Sequence, residues 1–229
     1  MRLSSQVKFF IIIKEISLRI KNKNFQKING KELYKYLLDE LKSENVFIDT
    51  DSKKILKIKN KDKLLKNFVI YEREKKFITL ENSKNFKASP VLLMIENFID
   101  NYCNNNDIVV CSHVTSPFIK KKTIYNAITF LNKGYDSVSS STFNKEFGLL
   151  KKNNNYIKIN FDKNIVKKTQ DLDPIILLNG AFFIFRSKTF KKYKTRYSKK
   201  HFYYQIKYPE SIDINYPEDL KMARIYAKN

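Results

Sequence analysis

The sequence predicts an α/β fold: a three-layer, doubly wound, mostly parallel sheet with a protruding β-hairpin. Three observations carry that expectation. Phe9-Phe10-Ile11-Ile12-Ile13 is an unbroken apolar run of high β-propensity, as suits a strand buried on both faces. Similar short runs recur at 46–48, 68–71, 108–111, 137–142 and 181–185. Between several of them lie stretches with helical periodicity and short links, the alternation expected of a doubly wound sheet.

In chain order, the strand at 9–13 stops at a polar segment, 14–25, carrying four cations (Lys14, Arg19, Lys21, Lys23) and one anion, Glu15. Open α/β sheets bind ligands beyond the carboxyl ends of their strands, so a cationic loop there suits an anionic substrate. A solvated loop in a lysine-rich chain is the alternative. Residues 30–42 place Leu33, Leu37 and Leu41 on one stripe, with Tyr34 and Leu38 beside it, which predicts an amphipathic helix. A short strand at 46–48 follows, and Asp51 is the expected N-cap of a helix beginning at Ser52. The strand at 68–71 ends in Glu72-Arg73-Glu74. Ser89-Pro90 then predicts a helix start over 91–103, with serine as cap and proline in the first turn.

The strand at 108–111 runs into Ser112-His113-Val114-Thr115-Ser116-Pro117-Phe118. The next helix turns Ile124, Ala127, Ile128 and Leu131 inward and closes at Gly134. Residues 143–173 break the rhythm. Asn153-Asn154-Asn155 reads as the turn of a hairpin, an excursion from the sheet suited to subunit contact. The core resumes at 181–185, a short strand spans 201–207, and Ser211-Ile212-Asp213-Ile214-Asn215 leads into a closing helix. No internal repeat interrupts the pattern, and residues 1–229 read as a single domain.

Composition narrows the function classes. The net charge is +22, but only six of the 45 basic residues are arginine, and the lysines are spread along the chain. Base readers favour arginine, whose fork pairs with guanine, so specific nucleic-acid binding is not expected. The surplus would still attract anionic small molecules. Cys103 and Cys111 lack metal spacing and read as small buried hydrophobes in a reducing compartment. The apolar run near the start is too short for a signal peptide, and no stretch approaches a membrane span. A cytoplasmic protein is expected. Residues 191–200 pack six cations around Tyr193 and Tyr197 and read as a solvated surface segment.

Two further positions suggest chemistry. Asp213 and Asn215 stand two apart in an extended stretch, so both side chains share a face. Asn215 and Asp219 can serve the start of the last helix, with Pro217 in its first turn. His113, at a strand's carboxyl end, is either a ligand-facing donor or a structural histidine.

Four separated motifs then resemble those of the CMP-sialic acid synthetases, the acylneuraminate cytidylyltransferases. The pattern I-P-A-R-G-G-S-K-G-x-P-x-K-N lies without gaps over 11–24, and Q-P-T-S-P-L over 113–118. R-Q-D-L-P followed by N-G-A-I-Y-I resembles Thr169-Gln170-Asp171-Leu172-Asp173 and Asn179-Gly180-Ala181-Phe182-Phe183-Ile184. S-I-D-I-D-x-x-x-D-L resembles Ser211-Ile212-Asp213-Ile214-Asn215 with Asp219-Leu220.

The resemblance implies a nucleotide-diphospho-sugar transferase-like fold, a homodimer, and CTP and an acidic keto sugar as substrates with Mg²⁺ as cofactor. The anomeric hydroxyl of the sugar would attack the α-phosphate of CTP and release pyrophosphate. It assigns catalysis to Lys23 and Asp213, and nucleotide binding to Lys14, Ser17, Lys23, Asn24, Arg73 and Ser89, with Ala88 beside Ser89 at the nucleobase lip. His113, Thr115, Ser116, Gln170, Phe183 and Phe202 fall to the sugar, with Tyr203 matching another pocket aromatic, and Asp213 and Asn215 to the metal. No general base is identified, and metal-assisted ionisation of the hydroxyl near Asp213 is the expectation. The chain departs from the family at Glu15-Ile16, where a glycine pair is usual, and at Asn215, where an aspartate is usual. A sister enzyme for the eight-carbon acid 3-deoxy-manno-octulosonate, or a non-catalytic nucleotide or polyanion binder, are the alternatives.

Overall fold

The structure is a computed structural model describing residues 7–83, 89–162, 164–165 and 167–228. Ala88 lies outside them. Along the first half run β1 (Val7–Ile13), β2 (Lys27–Ile28), β3 (Lys31–Glu32), α1 (Leu33–Glu40), β4 (Asn45–Thr50), α2 (Lys53–Ile58), β5 (Val69–Glu72) and α3 (Lys75–Asn82). The chain continues through α4 (Val91–Tyr102), β6 (Ile108–Ser112), α5 (Lys121–Asn132), β7 (Ser137–Asn144) and the hairpin β8 (Leu149–Lys152) and β9 (Asn155–Lys158). It closes with β10 (Ile175–Arg186), α6 (Ser187–Tyr193), β11 (His201–Gln205) and α7 (Pro217–Tyr226).

Seven strands form one sheet in the order β11-β7-β10-β6-β1-β4-β5. All run parallel except β10, which is antiparallel to both β6 and β7. β1 shows why the apolar run reads as it does. Val7, Phe9, Ile11 and Ile13 pack on one face with Tyr34, Leu37 and Leu38 of α1 and with α2 and α5. Phe10 and Ile12 pack on the other with Phe77 of α3, Phe98 of α4 and Phe190 of α6. A strand with helices on both faces has no polar side to alternate with. A third cluster joins Ile214, Leu220 and Ala223 to Ile20, Ile28 and Phe118, drawing the C-terminal segment onto the first loop.

Several expectations need correction. Ser52, not Asp51, caps α2: its Oγ accepts from Ile55 N at 3.3 Å. Pro90 is itself the cap residue of α4, with the Ser89 hydroxyl accepting from Val91 N at 3.4 Å. β10 begins six residues before the predicted strand, and α3 and α6 were not read from the sequence at all. The hairpin turns where expected, with Asn153 at φ 55°. Among the described residues no helix is long and apolar enough to cross a membrane.

Candidate active site

The strand order reverses between β1 and β6, whose neighbours lead outward in opposite directions. Beyond the carboxyl ends of these two strands opens a cleft of about 1130 Å³. Such a switch point is where open α/β sheets take their ligands. Lys14 leaves β1 into it, His113 leaves β6, and Asp51 follows β4.

The first loop is held from several sides. The buried Asn24 amide donates to Lys14 O at 3.0 Å, and Glu15 N donates to Asp51 Oδ1 at 2.7 Å. A single 3₁₀ turn, Lys23–Phe25, follows Asn22 in the left-handed region at φ 52°. The turn aims Lys23 Nζ at Ile214 O, 2.8 Å away. Burial is the main reason the Lys23 pKa is lowered; Arg19 and Lys14 add to the effect, and the carboxylates of Asp213 and Asp219 oppose it.

The C-terminal segment supplies the facing wall. Ile214 N donates to Thr115 O at 2.8 Å, clipping residues 213–215 to the loop after β6. Asp213 Oδ2 accepts from Asn215 Nδ2 at 2.5 Å. Burial raises the Asp213 carboxyl pKa, against the opposing pull of Thr115, Asn215 and Lys23. Asp219 is occupied as a cap, accepting from the amides of Asn215 and Tyr216 at 2.8 Å each.

A third group of side chains gathers around a bulge in β10. Between Leu178 and Phe183 the pairing with β7 slips, and Gly180 takes φ +74° there. A Cβ on Gly180 would stand 3.5 Å from His113 Nδ1, so glycine provides both the turn and the close approach. The Arg196 guanidinium lies 3.9 Å over the Phe183 ring, and Tyr197 meets Phe183 edge-on at 5.8 Å. Desolvation, with Arg196, Lys23 and Lys14 nearby, drives the His113 pKa down to about 4. The imidazole is therefore neutral at pH 7, with one ring nitrogen a donor and the other an acceptor.

Four polar atoms of the cleft lining are buried without any hydrogen-bond partner among the described residues: Glu15 Oε2, Asn179 Nδ2, Arg196 Nε and Asp213 Oδ1. Folded proteins leave few such groups, and their concentration in one cleft points to a polar ligand.

The cleft lining brings together Lys14, Ser17, Lys23, Asn24, Ser89, His113, Thr115, Phe183, Asp213 and Asn215. Five residues given site roles by resemblance lie elsewhere, among them Tyr203 on the edge strand β11. The Arg73 side chain is fully buried among Asp49, Asp51 and Glu81. Ser116 is 1% exposed. Gln170 sits exposed on the 3₁₀ turn Thr169–Asp171 and is not part of the lining. Phe202 stacks on Phe130 at 3.9 Å, on the opposite side of the sheet from Phe183. Arg196, Tyr197 and Asn179 line the cleft without having been given a role; the one sequence signal for Arg196 is that it is the single arginine in a run of lysines.

Asp213 is the carboxylate facing this space from the C-terminal segment, with Asn215 adding a neutral carbonyl oxygen. Among the described residues no group of three or more His, Cys, Asp or Glu could hold a metal ion unaided.

The sequence matches the family model described as cytidylyltransferase over residues 16–228. The fold is similar to that of CMP:2-keto-3-deoxy-manno-octonic acid synthetase complexed with CTP, at 10% identity and a TM-score of 0.64, covering 98% of this chain and 99% of that one. It is similar also to 4-diphosphocytidyl-2C-methyl-D-erythritol synthase from Anaerococcus prevotii DSM 20548, at 12% identity and a TM-score of 0.61 over 99% of each chain. At these identities the likeness is one of fold. No curated protein matches the sequence significantly.

Proposed function

The chain belongs to the cytidylyltransferase family, and from that premise we propose that it joins CTP to a 2-keto sugar acid, sialic acid or a related nonulosonic acid. The observation that carries the acidic substrate is Arg196. Its guanidinium is stacked on Phe183, its Nε is unpartnered, and it shares one cleft with Lys14 and Lys23. A planar, permanently charged fork is suited to a carboxylate, whereas ammonium groups serve a triphosphate as point charges. The neutral His113 offers one ring donor and one acceptor to sugar hydroxyls.

In the reaction, the anomeric hydroxyl gives its proton to solvent, its oxygen forms a bond to the α-phosphorus of CTP, the bond from that phosphorus to the bridging oxygen breaks, and pyrophosphate carries away the electron pair. Lys14 and Lys23 stabilise the charge that grows on the leaving group. Thr115 and Ser17 sit where hydroxyl donors can orient the two substrates.

The residues fit magnesium: Asp213 keeps Oδ1 free, Asn215 adds an uncharged oxygen, and this ion habitually takes one or two carboxylates and completes its shell with phosphate oxygens and water. Bound there, it would offset the triphosphate charge and ease ionisation of the attacking hydroxyl.

A homodimer is part of the proposal. Leu149, Leu150 and Ile157 on the hairpin and Ile176 and Leu177 on β10 are 43–55% exposed. The two strips adjoin at the hairpin base, where Ile175 packs against Gly148. Exposed apolar surface of this extent suits a second copy. Sedimentation of the wild type should give a dimer, and of Leu149→Lys with Ile157→Lys a monomer.

The direct test is pyrophosphate release from CTP and Mg²⁺ with a panel of sialic acid, other nonulosonic acids, 3-deoxy-manno-octulosonate and 2-C-methylerythritol 4-phosphate. Turnover with a nonulosonic acid alone supports the proposal; preference for the eight-carbon acid or the polyol phosphate replaces its sugar. A second reading, nucleotide binding without turnover, is favoured by Glu15-Ile16 in the phosphate loop and by Asn215. CTP binding with no release from any acceptor would establish it instead.

A further inference from the structure

We infer that Arg73 is a positioning residue: it sets the shape of the cleft's first loop from behind, through Asp51 and Glu81, without touching substrate. The inference rests on the proposed binding of a nucleoside triphosphate at that loop.

Arg73 directly follows β5, and its backbone N–H donates to Thr50 O at the end of β4, 2.8 Å away. Its side chain has no exposure. Nε meets Asp49 Oδ1 at 2.6 Å, and Nη1 stands 3.5 Å from Asp51 Oδ2 and 3.4 Å from Glu81 Oε2. Asp51 and Glu81 each present their other oxygen to the loop. Asp51 Oδ1 accepts the Glu15 amide at 2.7 Å, and Glu81 Oε1 holds the Lys14 ammonium. Two carboxylates therefore relay one buried guanidinium onto consecutive residues of the loop. All four relay and loop residues line the cleft, whereas Arg73 does not.

Charge makes the arrangement more than a clamp. Without a cation behind them, Asp51 and Glu81 would be free to turn toward the cleft, where a triphosphate would meet two extra anions. An apolar replacement for a buried ion cluster is often neutral for stability, so such a cluster is better understood by what it orients.

The test uses the full chain as wild type, Arg73→Met and Arg73→Lys. Three quantities are measured: the Kd for CTP by calorimetry, amide exchange at Glu15 by NMR, and the KM for the sugar acid from pyrophosphate release. Arg73→Met should weaken CTP about 10-fold and speed Glu15 exchange at least 10-fold, while the KM for the sugar stays within twofold. Arg73→Lys, which keeps the charge and loses the fork, should recover part of both losses. A folded Arg73→Met with CTP affinity within twofold of wild type, or with an equal rise in sugar KM, overturns the inference. If Arg73→Met does not fold, Asp51→Ala cuts the Glu15 relay directly and is judged by the same two thresholds. If the wild type itself does not bind CTP, the functional reading fails, and the inference is then decided by Glu15 exchange alone: unchanged exchange overturns it.

Discussion

Lys23 Nζ donates to the carbonyl oxygen of Ile214 at 2.8 Å, closing a loop of 191 residues. The contact brings the first basic loop against the segment that carries Asp213, so a cation and an acidic ligand face the same cleft. It uses one of three ammonium hydrogens and leaves the others for phosphate oxygens. Burial that lowers the Lys23 pKa also strengthens its field toward a charged ligand.

Replacing Lys23 by methionine keeps the stem and deletes the charge. Removing one donor aimed at developing charge typically costs about 10²- to 10³-fold in kcat. Pyrophosphate release at saturating CTP is expected to fall by that much, with the circular dichroism spectrum unchanged. A kcat within threefold of wild type would remove Lys23 from the catalytic machinery.

The fold was legible where burial imposes a period, and illegible where it does not. Residues 9–13 are covered on both faces and could hardly be read otherwise. α3 buries only Phe77 and α6 only Ser187 and Phe190, so neither presents a stripe to recognise. Phe202 shows the limit of matching motif letters along a strand: side chains alternate across β11, so His201 and Tyr203 share one face and Phe202 falls on the other. Arg196 was hidden for another reason. Its position depends on the left-handed turn at Lys194, φ 51°, and on Ser198 N donating to Ser137 Oγ at 3.0 Å, a contact 61 residues apart that no local pattern announces.

Asp213→Asn is expected to reduce kcat by at least about 10²-fold, because the carboxylate oxygen without a hydrogen bond is the one ionic ligand the segment offers. The reverse change nearby, Asn215→Asp, should lower the Mg²⁺ concentration giving half-maximal rate. The Asp213 pKa is raised, so the ionised form is lost as pH falls at a higher pH than for an ordinary carboxylate, and the acid limb of the rate profile should follow. Magnesium titrations that coincide for all three proteins would count against a metal at this position.

Arg196→Ala should separate the two substrates. A hydrogen bond to a charged group contributes about 1.5–3 kcal/mol, which corresponds to a 10- to 100-fold higher KM for the sugar acid. The Kd for CTP should stay within twofold, and Arg196→Lys should restore part of the sugar affinity. Losses shared equally between sugar and CTP would show that Arg196 supports the cleft as a whole and does not read the carboxylate.

His201 ties folding stability to pH. Its Nδ1 is 2.7 Å from Ser137 Oγ and its Nε2 is 2.8 Å from Ser139 Oγ, so both ring nitrogens are engaged by hydroxyls. Burial lowers its pKa to about 4 from an ordinary 6.5. Between those values the unfolded chain binds a proton that the folded protein refuses, so stability is complete above about pH 6.5 and declines as pH falls toward 4. Discounted for the solvent screening of a partly exposed ring, the decline at pH 5 from this one group is on the order of 1 kcal/mol, and His113, shifted in the same direction, adds to it. Denaturant unfolding of wild type and His201→Asn at pH 7 and pH 5 isolates the contribution, since every other titrating group is common to both. The variant, less stable at pH 7, should lose about 1 kcal/mol less than wild type on acidification. An identical loss in the two proteins would mean that the His201 ring takes up its proton in the folded state as easily as in water.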